Sequence, residues 1–183
     1  MGAAPGRVLH PEEQPAPDRS GTPAVLYLDN GSSELEWDDH DNTAVVRWSL
    51  REYGICLAGP EARSLVDPVS ADRLRAELVG TVGQLTDWAC EPGEMSRWKQ
   101  PYVVLSLCRM LHTLSSGRVA SKKAGGEWAL TTLDAEWSGL IQHALDDRPN
   151  PWGRVHQRAE PATARRTLAF VDCALTDAME RYG

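Results

Sequence analysis

Asp39-His40-Asp41 is the first place in the chain where residue types and spacing suit chemistry. Two carboxylates one residue apart point the same way from a strand and can together hold a divalent cation. The residues after Asp41 open a helix instead of continuing an apolar strand, so a solvated acidic turn is the expected reading. His112 and His143 fall within helical stretches as packing or surface residues, and no Ser-His-Asp or Cys-His arrangement can be assembled. The cysteines at 56, 90, 108 and 173 are too far apart for a CxxC redox or zinc motif. Cys108 and Cys173 are expected on apolar helical faces as inert core thiols. This usage fits a reducing cytoplasm.

The bulk properties narrow the partner. At 183 residues, with 42% hydrophobic and 25% charged content, the chain has the make-up of a soluble globular domain with a real core. A formal charge of -7 argues against nucleic acid or an anionic membrane as partner and favours a small molecule. The first residues lack the apolar run of a signal peptide, and no segment is long enough to span a bilayer.

Three regions must position any site. Residues 1–23, rich in Pro, Gly and charge, are expected to be disordered. Residues 24–40 read as a β-hairpin: Ala24–Leu28 is β-prone, Asp29-Asn30-Gly31 turns the chain, and Ser33–Trp37 alternates. A lone hairpin is marginal in water, so it reads as the edge of something larger. Residues 41–183 read as a helical domain. Asn42 or Asp41 is expected to cap a first helix ended by Gly54. Ser70 caps a second that carries Leu74, Leu78, Val82 and Leu85, with Gly80 and Gly83 allowing another helix to come close. The strongest helix runs from about Trp98 to Ser115, its apolar stripe being Val103, Leu107, Met110, Leu111 and Leu114. Its polar stripe is Tyr102, Ser106, Arg109 and Thr113. Ser121 caps the next helix, another covers Ala135–Leu145, and the last runs from Pro161 to about Arg181 on Ala164, Leu168, Val171, Leu175 and Met179. Short loops predict an antiparallel helical bundle, so the expected fold class is mostly α with a short N-terminal hairpin. Trp128 and Trp137 are expected in the core.

Two segments carry more than periodicity: Tyr102-Val-Val-Leu-Ser-Leu-Cys-Arg-Met110, and Gly117-Arg-Val-Ala-Ser-Lys122 followed by Gly126-Glu-Trp-Ala-Leu130. With Leu50-Arg-Glu-Tyr-Gly54, Leu57-Ala-Gly-Pro60 and Asp67-Pro68, they resemble in order and spacing the C-terminal half of the streptomycin and spectinomycin adenylyltransferases, over roughly residues 41 to 148. The resemblance implies a helical substrate-binding domain that follows a nucleotidyltransferase domain. That preceding domain would hold ATP and Mg on a Gly-Ser pair and an Asp-x-Asp, for AMP transfer to a hydroxyl of an aminoglycoside antibiotic. By motif position it assigns Arg109 and Lys122 to the nucleotide phosphates, a fork and a point charge.

Against that pattern Gly31-Ser32 and Asp39-His40-Asp41 stand too close together, and too near the C-terminal blocks, to be the catalytic motif. The chain is therefore expected to lack its own catalytic metal site and to be inactive alone. The hairpin would be a remnant of the nucleotidyltransferase domain, left by a missed upstream start or a truncated gene. The stretch before the strong helix should carry acidic drug contacts but reads Glu94-Met-Ser-Arg-Trp-Lys-Gln-Pro101. The substrate-side candidates are then Trp88, Glu91, Glu94 and Trp98. The rival expectation is a non-catalytic binding or protein-interaction module using Trp48, Trp88, Trp98 and Trp152 as its partner face.

Overall fold

The computed structural model describes residues 25–27, 33–38, 42–91, 93, 95–147, 154 and 156–183. The expected disorder of 1–23, the Asp39-His40-Asp41 turn, Glu94 and Trp152 lie outside them. Two strands, β1 (Val25–Tyr27) and β2 (Glu36–Asp38), pair antiparallel with Leu26 opposite Trp37. The turn expected at 29–31 lies outside the described residues, so of the hairpin only this pairing is seen. The rest is a helical bundle: α1 (Ala44–Tyr53), α2 (Ala62–Leu65), α3 (Ala71–Cys90), α4 (Lys99–Ser116), α5 (Lys122–Thr132), α6 (Ser138–Asp147) and α7 (Pro161–Tyr182), with a 3-10 turn at Ala135–Trp137.

The helix starts follow capping chemistry. Ser70 and Ser121 accept hydrogen bonds from the amides of Arg73 and Ala124 at 3.2 and 3.1 Å. Glu160 does the same for Thr163 at 2.8 Å, with Pro161 in the first turn. The cap of α1 is Thr43, not Asn42 or Asp41; its hydroxyl accepts from Val46 N. Gly117 ends α4 at φ 69, where a Cβ would stand 2.6 Å from that of Ala71, so both conformation and space require glycine.

α4 is the axis. Val103, Val104, Leu105, Leu107, Cys108, Met110, Leu111 and Leu114 are buried on nearly every side of it, the pattern of a helix surrounded by others. It is packed by α3, α5, α6 and α7. Polar ties run across the bundle. Gln100 Nε2 donates to Thr167 Oγ1 at 3.2 Å in the interior, and Arg75 Nε donates to the Leu114 carbonyl at 2.9 Å.

Several expected core positions shift. In α7 the buried face is Thr167, Phe170, Val171, Ala174 and Ala178, while Leu168 and Met179 are exposed and Ala164 and Leu175 half-buried. The contiguous pair Phe170-Val171 centres the stripe one residue away from the leucines, because Phe170 fills the space against Trp137 with ring centroids 5.2 Å apart. Cys173 consequently turns outward and is no core thiol; Cys108 is one. Trp137 is buried and Trp128 half-buried against the core. Trp48 is buried with Ala44, Leu74 and Val119, and so presents no partner face. Gly80 and Gly83 have open space where a Cβ would be, so among the described residues no helix comes close to them.

Candidate functional site

A close helix approach falls instead at Gly125 and Gly126 in α5. A Cβ on Gly125 would lie 2.7 Å from Arg109 Cα and 2.8 Å from Arg109 N; one on Gly126 would lie 2.9 Å from a Leu145 methyl and 3.0 Å from a Leu105 methyl. The two glycines let α5 lie directly on the α4 backbone at Arg109. This contact sets where the first residue of α5, Lys122, can reach.

Lys122 Nζ sits over the Tyr102 ring, 3.4 Å from its centroid, a cation–π contact on the polar stripe of α4. Tyr102 and Arg109 share that stripe two turns apart. The half-buried Arg109 guanidinium has a pKa lowered chiefly by burial, with Tyr102 acting in the opposite direction. Tyr102 thus touches Lys122 directly and acts on Arg109 only through its charge. Arg109 also lines a cleft of about 570 Å³ between α1, α3 and α4, with Val46, Leu50, Thr81 and Met110. Glu77 lines the same cleft, but both its oxygens accept from Ala44 N, at 2.8 and 2.9 Å, anchoring the start of α1. Among the described residues no carboxylate pairs with Arg109.

The substrate-side candidates form a second cluster that runs into the first. Trp98 stacks on Tyr102 with centroids 5.2 Å apart and 22° between planes; Trp88 meets both edge-on at 6.2 and 5.7 Å. Lys99 Nζ donates to the Trp88 carbonyl at 2.6 Å and lies 4.5 Å from the centre of its ring. Arg97 is held by Asp147 at 2.9 Å, and its backbone amide donates to Gln157 O. Met95 and Ala159 pair beside it, so the stretch before α4 is fastened to the lead of α7. Glu91 is exposed at the end of α3. Lys122, Trp88 and Trp98 are therefore linked through Tyr102, whereas Arg109 lines the cleft beside α1 and Glu91 is not among these contacts.

The cations suit an anion, and the flat rings suit a planar or sugar-like body. A metal fits less well: among the described residues no three of His, Cys, Asp and Glu come together as a ligand set. Sequence reasoning placed Tyr102 on the polar stripe but did not single it out, and it overlooked Gly125. The signal available was a Gly-Gly pair inside a helical stretch, which loses helix propensity unless another backbone must come close.

Comparison with known proteins supplies what geometry cannot. Residues 64–169 match the family described as aminoglycoside adenylyltransferase, C-terminal domain. The chain belongs to this family. It is 30% identical over 117 residues to an aminoglycoside (3'') (9) adenylyltransferase of Klebsiella pneumoniae, covering 64% of this chain and 43% of that protein. Against an Escherichia coli protein of the same description it is 32% identical over 101 residues, covering 55% and 36%. A spectinomycin 9-adenylyltransferase of Staphylococcus aureus is 27% identical over 117 residues, covering 64% and 42%. The chain spans less than half the length of these curated relatives. In fold it matches a spectinomycin adenyltransferase from Enterococcus faecialis, solved with ATP and spectinomycin, at a TM-score of 0.56 and 14% identity over 78% of this chain and 53% of that one. No described helix of this family member is long and apolar enough to cross a membrane.

Proposed function

We propose that the chain is the ligand-holding C-terminal part of an aminoglycoside adenylyltransferase-type enzyme, with Arg109 and Lys122 receiving the polyphosphate of ATP. The observation that carries this reading is the Arg109 guanidinium: partly desolvated, with no carboxylate partner among the described residues, and lining a cleft whose carboxylate among those residues, Glu77, is held by the Ala44 amide. A half-buried cation with no carboxylate partner among the described residues is unfavourable for the fold alone and favourable for an anionic ligand. Lys122 stands at the N-terminus of α5, where the helix dipole adds to its charge.

In adenylyl transfer an acceptor hydroxyl attacks the α-phosphorus of ATP and pyrophosphate leaves. Arg109 and Lys122 would hold the departing oxygens and offset their charge. On this reading magnesium would be held by carboxylates of a nucleotidyltransferase domain and not by this chain. Alone, the chain binds nucleotide without turning it over. Trp88 and Trp98 supply the acceptor's flat contact, with Glu91 and Glu94 at the rim as attraction for a cationic drug.

Calorimetric titration with ATP-magnesium and, separately, with spectinomycin tests the reading. Heat from ATP that disappears in Arg109→Ala supports it. Absence of heat from both ligands, together with a stable dimer in light scattering, favours the alternative of a non-catalytic interaction module. That alternative has one feature in its favour: an exposed apolar surface on α1.

A further inference from the structure

α7 carries Phe170, Cys173, Ala174, Asp177 and Arg181 at spacings of three and four, so all five share one side of the helix. That side faces α4, α5 and the 3-10 turn, and between them lies a cavity of about 250 Å³. Trp128, Trp137, Phe170 and Tyr182 bring four rings to its lining, and the small side chains of Cys173 and Ala174 leave room between them. This cavity is not the cleft that Arg109 lines. At about 100° per residue, Leu111, which lines it from α4, stands roughly 180° round that helix from Tyr102 and roughly 200° from Arg109. The charged residues of the lining are Asp134, Asp177 and Arg181. Arg181 Nε holds Asp177 Oδ1 at 2.7 Å, so their charges cancel. Asp134 accepts from the Glu136 amide at 2.9 Å, and among the described residues no cation pairs with it. The lining is left with a net negative charge, and Cys173 feels it. Burial raises the pKa of its thiol, hydrogen bonding to Trp137 acts the other way, and Asp177, Glu136 and Asp134 raise it further.

We infer that this cavity is a binding site, separate from the Arg109 cleft, for a small arylalkylammonium: one aromatic ring on a short chain that ends in an amine cation. The faces of the lining rings attract a cation, and their edges and faces pack against another flat ring. Asp134 supplies the charge-assisted contact to the ammonium. Size sets the upper limit. Drug-sized ligands occupy roughly 300–1,000 Å³, so a cavity of about 250 Å³ admits a single ring with its chain and turns away a body of several linked rings. Charge sets the sign: an acid of the same shape would meet the negative field of Asp134 and Asp177 and be repelled. The site stands whether or not Arg109 receives phosphate, because the two share no lining residue.

Cys173 is exposed and lines the cavity, so its alkylation reads occupancy. The whole chain is labelled with iodoacetamide, with and without phenethylammonium, and each cysteine is followed by peptide mass spectrometry. Saturating phenethylammonium should slow labelling of Cys173 by about fivefold or more and leave the exposed Cys56 and Cys90 unchanged. Phenylacetate should give no protection, and phenethyl alcohol should need about tenfold more ligand for the same effect. Asp134→Asn keeps the cap on Glu136, since asparagine caps as well as aspartate, and should raise the phenethylammonium needed by about threefold. Trp128→Leu is the second variant and should raise it by about fivefold or more; circular dichroism checks the fold of both. Equal protection by phenylacetate or phenethyl alcohol overturns the inference, because the cavity then selects no cation. So does equal slowing at all three exposed cysteines, no slowing at Cys173, or a response of both variants identical to that of the intact chain. Loss of the protection on adding ATP-magnesium overturns the separateness of the site.

Discussion

Arg109 separates two accounts at the level of one residue. If it were a structural cation, its removal would break a pair and destabilise the fold by several kcal/mol. If it is held for an anion, Arg109→Met should leave the thermal midpoint unchanged or raised while nucleotide binding falls roughly 10- to 100-fold, the worth of a charge-assisted contact. Thermal denaturation and titration of one variant read both. Cys108 gives a second prediction at this scale. Burial pushes its thiol up to about 12 from 9.0. The folded state keeps the proton, so the stability Cys108 contributes is complete below pH 9 and is lost as the unfolded chain ionises between pH 9 and about 12. Urea denaturation should show a loss approaching 1.4 kcal/mol per pH unit in that window, absent in Cys108→Ala. Native labelling should modify the exposed Cys56, Cys90 and Cys173 and spare Cys108.

At the level of elements, the site depends on how near α5 comes to α4. Gly125→Ala forces a Cβ into the Arg109 backbone and should cost about 2 kcal/mol, like other overpacked contacts. It should also weaken ATP binding, because Lys122 moves with its helix. Gly80→Ala is the control: with open space around it, the substitution should stabilise by about 0.5–1 kcal/mol through helix propensity. Chemical denaturation of the two variants, with opposite signs expected, checks this. The contrast also shows where sequence reading stops. Most helix starts and stops were legible, the cap of α1 excepted, because Ser70, Ser121, Pro161 and Gly117 act on their own backbone neighbours. Which glycine admits a neighbouring helix is a property of the pair of helices, and the sequence of one helix does not contain it. The same limit explains α7: its leucines suggested one stripe, but Phe170 meeting Trp137 set another, and Cys173 turned outward with it.

Over the whole molecule, family membership was legible because several short blocks keep their order and spacing, and these are the blocks that build α4, the start of α5 and the cleft beside α1. Arg109 and Lys122 could be named from them, but the seat of Lys122 on the Tyr102 ring could not, because it is set by how α5 crosses α4. Before α4, where the resemblance led us to expect acidic side chains, stand Arg97, tied to Asp147, and Lys99, tied to Trp88. If the proposed function holds, spectinomycin should bind this chain less firmly than it binds the Staphylococcus aureus relative, by about tenfold or more for an ion pair not made at a desolvated site. Parallel titrations of the two proteins compare them. The central claim is that polyphosphate sits on Arg109 and Lys122. Phosphorus NMR of ATP-magnesium tests it most directly. Adding the intact chain should shift and broaden the β and γ resonances, with the effect lost in Arg109→Ala and reduced in Lys122→Ala. Equal shifts in all three proteins, or none in the intact chain, would contradict it.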